Sequence, residues 1–211
     1  MIAILVANVK GGCGKTTVAT HLAAAYAVAG HATLLADVDR QRSSFAWVER
    51  RPETAAKIAG ADWSKEIDKP HKGIARLIID APAALKRGQI EELVDLANLI
   101  VLPVQPGVFD EGATRRFLDR IEELKAVIKG KKPVAVVGNR LRPRTRASDR
   151  LDHFLAETGH RVATRLRDSS LYPECAQTGL TLFDLPGKRV AEVRADWTPL
   201  LAFLEGSGTA G

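Results

Sequence analysis

Apolar residues follow two rhythms along this chain. Short unbroken runs, at Ile2–Asn8, His31–Asp37, Ile74–Asp80, Leu99–Val104 and Pro133–Gly138, end at glycine, proline or charge. Runs without polar alternation suit strands buried on both faces of a parallel sheet. Between them lie longer amphipathic stretches that predict helices at Thr16–Ala29, Gln41–Arg51, Gln89–Ala97, Glu111–Lys125 and Ala147–Thr158. This strand–helix repetition predicts an α/β fold: one domain, a largely parallel β-sheet, helices on both faces and right-handed crossovers. Asp62–Lys72, charged and carrying Pro70, predicts an irregular surface excursion. Val190, Val193, Trp197, Leu200, Leu201 and Leu204 fall at helical spacing, which predicts a helix closing the core with a kink at Pro199. The domain is expected over 1–205, and Gly206–Gly211 as a flexible tail.

Composition narrows the class. A length of 211 residues suits a single hydrophobic core. With 45% hydrophobic and 27% charged residues the chain has the make-up of a globular protein, which excludes a disordered or fibrous one. Two cysteines, Cys13 and Cys175, make no disulfide framework and point to a reducing, cytoplasmic setting. No stretch approaches the roughly 20 apolar residues of a membrane helix. Met1–Val9 lacks a basic flank and a cleavage site, so it is expected as a buried first strand, not a signal peptide. His21, His31, His71, His153 and His160 lack metal-ligand spacing.

Charge is unevenly spread. Lys131–Arg167 holds ten basic residues against three acidic ones, a segment charge of +7 in a chain of +6 overall, so the remainder nets −1. Arg142, Arg144, Arg146, Arg161, Arg165 and Arg167 are the candidate contacts for a polyanion such as DNA. The competing reading of the same segment is a solvated arginine-rich surface.

The sharpest chemical signal is Lys10-Gly11-Gly12-Cys13-Gly14-Lys15-Thr16-Thr17, set between the first strand and the first helix. It fits the P-loop pattern G-x-x-x-x-G-K-[ST] with Ala7 at the first glycine position. Glycines let backbone N–H groups curl around phosphate oxygens, and the following helix aims its positive end at the same anion. Lys15 is the expected partner of the β- and γ-phosphates, Thr16 of Mg²⁺ and Thr17 of the α-phosphate. Cys13 needs only to be small.

The form K-G-G-x-G-K-T-T resembles the deviant Walker A motif of the ParA/MinD superfamily. The resemblance implies that Lys10 is the signature lysine, which reaches the partner's phosphates across an ATP-sandwiched homodimer. Asp37-Val38-Asp39-Arg40-Gln41 resembles the family's D-x-D-P-Q switch I, where the second aspartate, here Asp39, serves the attacking water and the metal site. Arg40 stands in place of the usual proline. Leu77–Pro82 resembles the Walker B strand, which makes Asp80 a metal-site residue, although Ala81 and Ala83 depart from the family pattern. Ala97–Pro106 resembles A-D-x-V-L-V-P-x-x-P. Val137–Arg140 resembles the adenine-side strand, where Asn139 would read the base, and the segments Leu171–Glu174 and Gly179–Asp184 extend the likeness to about residue 184. No [NT]-K-x-D guanine motif is present, which favours ATP over GTP.

The resemblance implies an ATPase with ATP and Mg²⁺ as cofactors. It further implies non-specific DNA binding in the ATP state, a ParB-like or other cargo-borne activator, and a nucleoid location. Stable membrane binding is not expected, because no basic amphipathic segment closes the chain, and no N-terminal helix-turn-helix is expected. Two alternatives carry the same motif: a MinD-like ATPase at a membrane, and a metabolic ligase of the dethiobiotin-synthetase type.

Overall fold

A computed structural model describes residues 1–124, 127 and 132–208. Seven parallel strands form one sheet in the order β3-β2-β4-β1-β5-β6-β7. They are β1 (Ile2–Val6), β2 (Thr33–Asp37), β3 (Ala59–Asp62), β4 (Arg76–Asp80), β5 (Leu99–Val104), β6 (Val134–Leu141) and β7 (Arg161–Arg167). The five strands expected from the apolar runs are all present. The two edge strands were not expected. β3 is too short and too polar to give a signal, and β7 alternates exposed arginines with buried Ala163 and Leu166.

The strands serve two cores at once, which is why they show no polar alternation. Ala3, Leu5, Leu77, Ile79, Ile100 and Leu102 face one helical layer, while Ile4, Val6, Ile78, Leu99 and Val101 face the other. The first layer holds α3 (Arg87–Leu96), α4 (Val108–Glu122) and α5 (Arg146–Glu157). The second holds α1 (Lys15–Val28), α2 (Ser43–Glu49), α6 (Leu171–Gln177), α7 (Lys188–Arg194) and α8 (Thr198–Gly208). α1 is buried almost all round, and its run of alanines suits it to close packing on the sheet.

At the carboxyl end of the chain the single kinked helix becomes three pieces. A 3₁₀ turn at Ala195–Trp197 separates α7 from α8, and Pro199 falls in the first turn of α8, where its missing N–H costs nothing. The expected tail is corrected in part: α8 runs on through Gly206 to Gly208, and residues 209–211, like Lys131, lie outside the described residues. Asp62 closes β3 and the following stretch to Lys72 is irregular, as expected, though Trp63 is buried against the core.

Candidate functional site

All the motif residues arrive at one edge of the sheet, because parallel strands put every β-to-α loop at the same end. The loop after β1 winds into α1 through Gly12 at φ 77° and Gly14 at φ 97°, a left-handed backbone that favours glycine. A Cβ on Gly14 would sit 2.1 Å from the Asn139 side-chain nitrogen, so only glycine leaves room for the Asn139 amide against the loop. Asn8 anchors the start of the loop. Its amide donates to the Pro103 carbonyl at 2.9 Å and to the Thr114 hydroxyl at 3.0 Å, and its oxygen accepts the Lys10 N–H. The Lys15 ammonium, nearly buried, folds over the loop and donates to the Lys10 carbonyl at 3.1 Å.

Thr16 and Asp80 meet as the motifs predict: the Thr16 hydroxyl donates to Asp80 Oδ2 at 2.8 Å. Burial pushes the Asp80 carboxyl up to about 7; the Thr16 hydroxyl opposes this and the neighbouring Asp37 carboxylate adds to it. A carboxyl so placed is ready for a cation, which would restore its charge. Both donors are hard oxygens, suited to Mg²⁺ with several retained waters. These residues therefore fit the metal, with Thr16 and Asp80 as its nearest holders.

Asp37 and Asp39 divide the work of the loop after β2. Asp37 is fully buried and caps α2, accepting the Ser44 N–H at 2.8 Å and the Phe45 N–H at 3.0 Å, while its other oxygen takes the Asp39 N–H. Asp39 is half-buried and accepts the Gln41 N–H at 3.0 Å. The capping role of Asp37 was not foreseen, although an aspartate seven residues before a helical stretch of serines was a visible cue.

Lys10 lies at the rim of the site, with its side chain about a third exposed. Its ammonium is 3.9 Å from Asp110 Oδ2, and Asp110 also accepts the Gln105 side-chain amide. Asp110, in the first turn of α4, is a second residue the motifs did not mark. Cys13 is fully buried, and burial pushes its thiol up, so it acts as an inert small residue.

Beside the loop opens a cleft of about 800 Å³, lined by Thr17, Asn139, Arg140, Arg142, Tyr172 and Pro173 among others. That volume suits a nucleoside. Asn139 stands at its wall, with its amide donating to the Cys13 carbonyl at 2.8 Å and its oxygen accepting the Arg140 N–H.

The basic segment does not form one face. Arg142 pairs with Asp168, Arg165 with Asp152, and Arg167 takes both oxygens of Asp196. Arg144, Arg146 and Arg161 are exposed and have no ion pair among the described residues. Arg146 is the first residue of α5 and Arg161 lies past its last, Glu157; the helix has 12 residues and is thus about 18 Å long. Arg140 (φ 54°) and Arg144 (φ 61°) adopt left-handed backbone at about 1–2 kcal/mol each. The bonds of Thr145 and Ser148 to Arg142 hold this loop in place.

Comparison with known proteins agrees with the geometry. Residues 4–182 match the model of the CobQ/CobB/MinD/ParA nucleotide binding domain. A maintenance of carboxysome distribution protein A from Gloeobacter kilaueensis is 30% identical over 203 residues, covering 92% of this chain and 89% of that protein. Among solved structures, a Cyanothece McdA variant in complex with ATP superposes with a TM-score of 0.76 at 15% identity, over 98% of this chain and 96% of that one. The septum site-determining protein MinD from Pyrococcus horikoshii, complexed with Mg-ADP, gives 0.70 at 15% identity over 97% of each chain. With a glycine-rich loop between β1 and α1, the carboxylates of Asp37, Asp39 and Asp80 at one edge of a parallel sheet, and the family's model matched over residues 4–182, this chain belongs to the CobQ/CobB/MinD/ParA nucleotide-binding family.

Proposed function

We propose that this protein is an ATP-switched positioning ATPase of the ParA/McdA kind. It closes as a homodimer around MgATP, binds DNA of any sequence in that state, and is released when a cargo-borne partner, ParB-like or otherwise, stimulates hydrolysis. It would then act in the cytoplasm on the nucleoid. The observation that carries the reading is the pairing of two lysines with different placements: Lys15 buried in its own P-loop, and Lys10 at the solvent rim beside Asp110.

Each residue then has a task. Gly11, Gly12, Cys13 and Gly14 present backbone N–H groups to the phosphates, Lys15 holds the β- and γ-phosphates, and Thr17 the α-phosphate. Thr16 and Asp80 would hold Mg²⁺, with Asp39 nearby, and at this place the ion would supply charge neutralisation for the phosphate oxygens. Asp39 keeps one carboxylate oxygen on Gln41 and turns the other to the attacking water. Lys10 exchanges Asp110 for the phosphates of the second subunit. Asn139 borders the base.

DNA contact falls to the loop after β6, on the same edge as the nucleotide, with Arg144 and Arg146 as the uncommitted charges. Arg142, Arg165 and Arg167 contribute only by leaving their carboxylates, and Arg161 reaches a separate surface. Duplexes of unrelated sequence should bind only with ATP, with a log–log salt slope near −4.5 for about five phosphates. Joint replacement of Arg144 and Arg146 by glutamate should weaken this binding and spare ATP binding. Unchanged DNA affinity would move the contact surface elsewhere.

A further inference from the structure

Large apolar side chains stand almost wholly inside this protein. Among the described residues four are exposed: Met1, Val28, Val108 and Phe109. Met1 precedes β1 and Val28 ends α1, so each lies singly at the end of the sheet away from the P-loop. Val108 and Phe109 are consecutive, 62% and 84% exposed, and they open α4 at the P-loop edge. A single exposed apolar residue needs no explanation, whereas a pair beside a functional loop does.

The local structure holds this pair outward. Asp110, the next residue, turns in; it is buried, 3.9 Å from the Lys10 ammonium, and accepts the Gln105 amide at 3.0 Å. The Asp110 and Glu111 N–H groups both donate to the Gly107 carbonyl, which closes the first turn of α4 around that inward residue. The surroundings are neutral. The strand order β4-β1-β5 sets three loops side by side, and Gly11–Gly12, Pro82–Ala84 and Pro106–Phe109 carry no ionisable side chain. Lys10 and Asp110, which flank them, face each other. Farther along the same edge β6 and its loop differ in kind, with Arg140, Arg142 and Arg144 on alternate positions.

We propose that Val108 and Phe109 are the apolar centre of the surface on which a second copy of this chain docks, with Phe109 as the anchor. A two-fold contact lays a patch against itself, so a charged patch repels its copy and a neutral one does not. A polyanion gains nothing from uncharged loops, which leaves DNA to the arginines beside them. The patch is continuous with Lys10 through Asp110, so a copy seated on Phe109 comes within reach of that lysine. Glycine at 11 and 12 lets its backbone approach closely. This surface presupposes the homodimer reading above and divides its labour: Lys10 answers to nucleotide, and Phe109 supplies adhesion.

Wild type, Phe109→Ser and Val28→Ser are compared by sedimentation equilibrium over a range of protein concentrations, with Mg²⁺ and a saturating non-hydrolysable ATP analogue. Burying a phenylalanine is worth at least about tenfold in association, and the two-fold axis counts it twice. Phe109→Ser should therefore raise the dimer dissociation constant by at least about 100-fold. Val28→Ser should leave it within about twofold. Without nucleotide both variants should melt within about 2 °C of wild type, because both side chains already stand in solvent. A Phe109→Ser protein that dimerises like wild type gives the patch to another partner and overturns the proposal. So does a Val28→Ser protein weakened equally, or a lowered melting temperature for Phe109→Ser, which would make the side chain a packing residue. If wild type itself stays single at saturating analogue, the homodimer reading fails first and the surface falls with it.

Discussion

The two halves of the sheet's carboxyl edge hold their charges in opposite ways. On the side of β1, β2 and β4, Lys15, Asp37 and Asp80 are buried, and bonds of 2.8–3.1 Å from Lys15, from Thr16 and to Asp37 fix them against the loop, β4 and the start of α2. On the side of β6, the arginines stand in solvent or pair with surface carboxylates. The difference is one of desolvation. A buried charge is tolerated only when partners meet it at fixed geometry, so its position is determined. A surface charge is stable almost anywhere, so its position says little.

The contrast is most sharply broken at Lys15. Lys15→Ala should remove the phosphate-bound cation and cost at least about 100-fold in ATP affinity, the loss of two charge-assisted bonds. Calorimetry giving wild-type affinity would refute the site. A second pair of variants sharpens the comparison by stability alone. Arg51 and Asp184 form an ion pair in which each side chain is only 4% exposed, and Arg51 also donates to the carbonyls of Ala56 and Gly179. Asp184→Ala strands that guanidinium and should cost about 3–5 kcal/mol. Asp168→Ala frees exposed Arg142 and should cost about 0–1 kcal/mol. Denaturant melts of the two variants measure the difference directly.

The buried half should also respond to acid through His21. Its ring stacks on Trp197 at 4.9 Å and lies edge-on to Tyr172. Burial pulls it down to about 4, against the Thr17 carbonyl that favours its charged form. The folded pKa lies below the unfolded one, so the unfolded chain takes the proton first. Stability is complete above about 6.5 and is lost as pH falls towards 4, by about 3 kcal/mol from this residue. His21→Leu should therefore show a pH 7 to pH 4 loss smaller by about that amount. An unaltered loss would place the acid sensitivity in the carboxylates.

Legibility in sequence followed the same division. The five central strands announced themselves because burial on both faces forbids polar residues; the P-loop, Asp39 and Asp80 stood out by the order of their residue types, and the structure brings them to one edge of the sheet. β3 escaped notice because an edge strand such as Ala59–Asp62 needs no apolar run. Asp110 was silent because its partner Lys10 comes from a distant segment, whereas the Asp37 cap on α2 left a local cue in the serines seven residues on. The segment Lys131–Arg167 looked like one patch because a count of charges contains neither pairing nor direction; α5 and β7 then spread it around the molecule.

The account turns on Lys10, the one lysine of the motif that the P-loop does not enclose. Its exchange of Asp110 for a second subunit's phosphates is the step that would make ATP a dimerising ligand. Sedimentation velocity with Mg²⁺ and a non-hydrolysable ATP analogue tests it. Wild type should double in mass, while Lys10→Ala should bind the analogue and remain a single chain. A wild type that stays single at saturating analogue, or a Lys10→Ala protein that dimerises as strongly, would contradict the account.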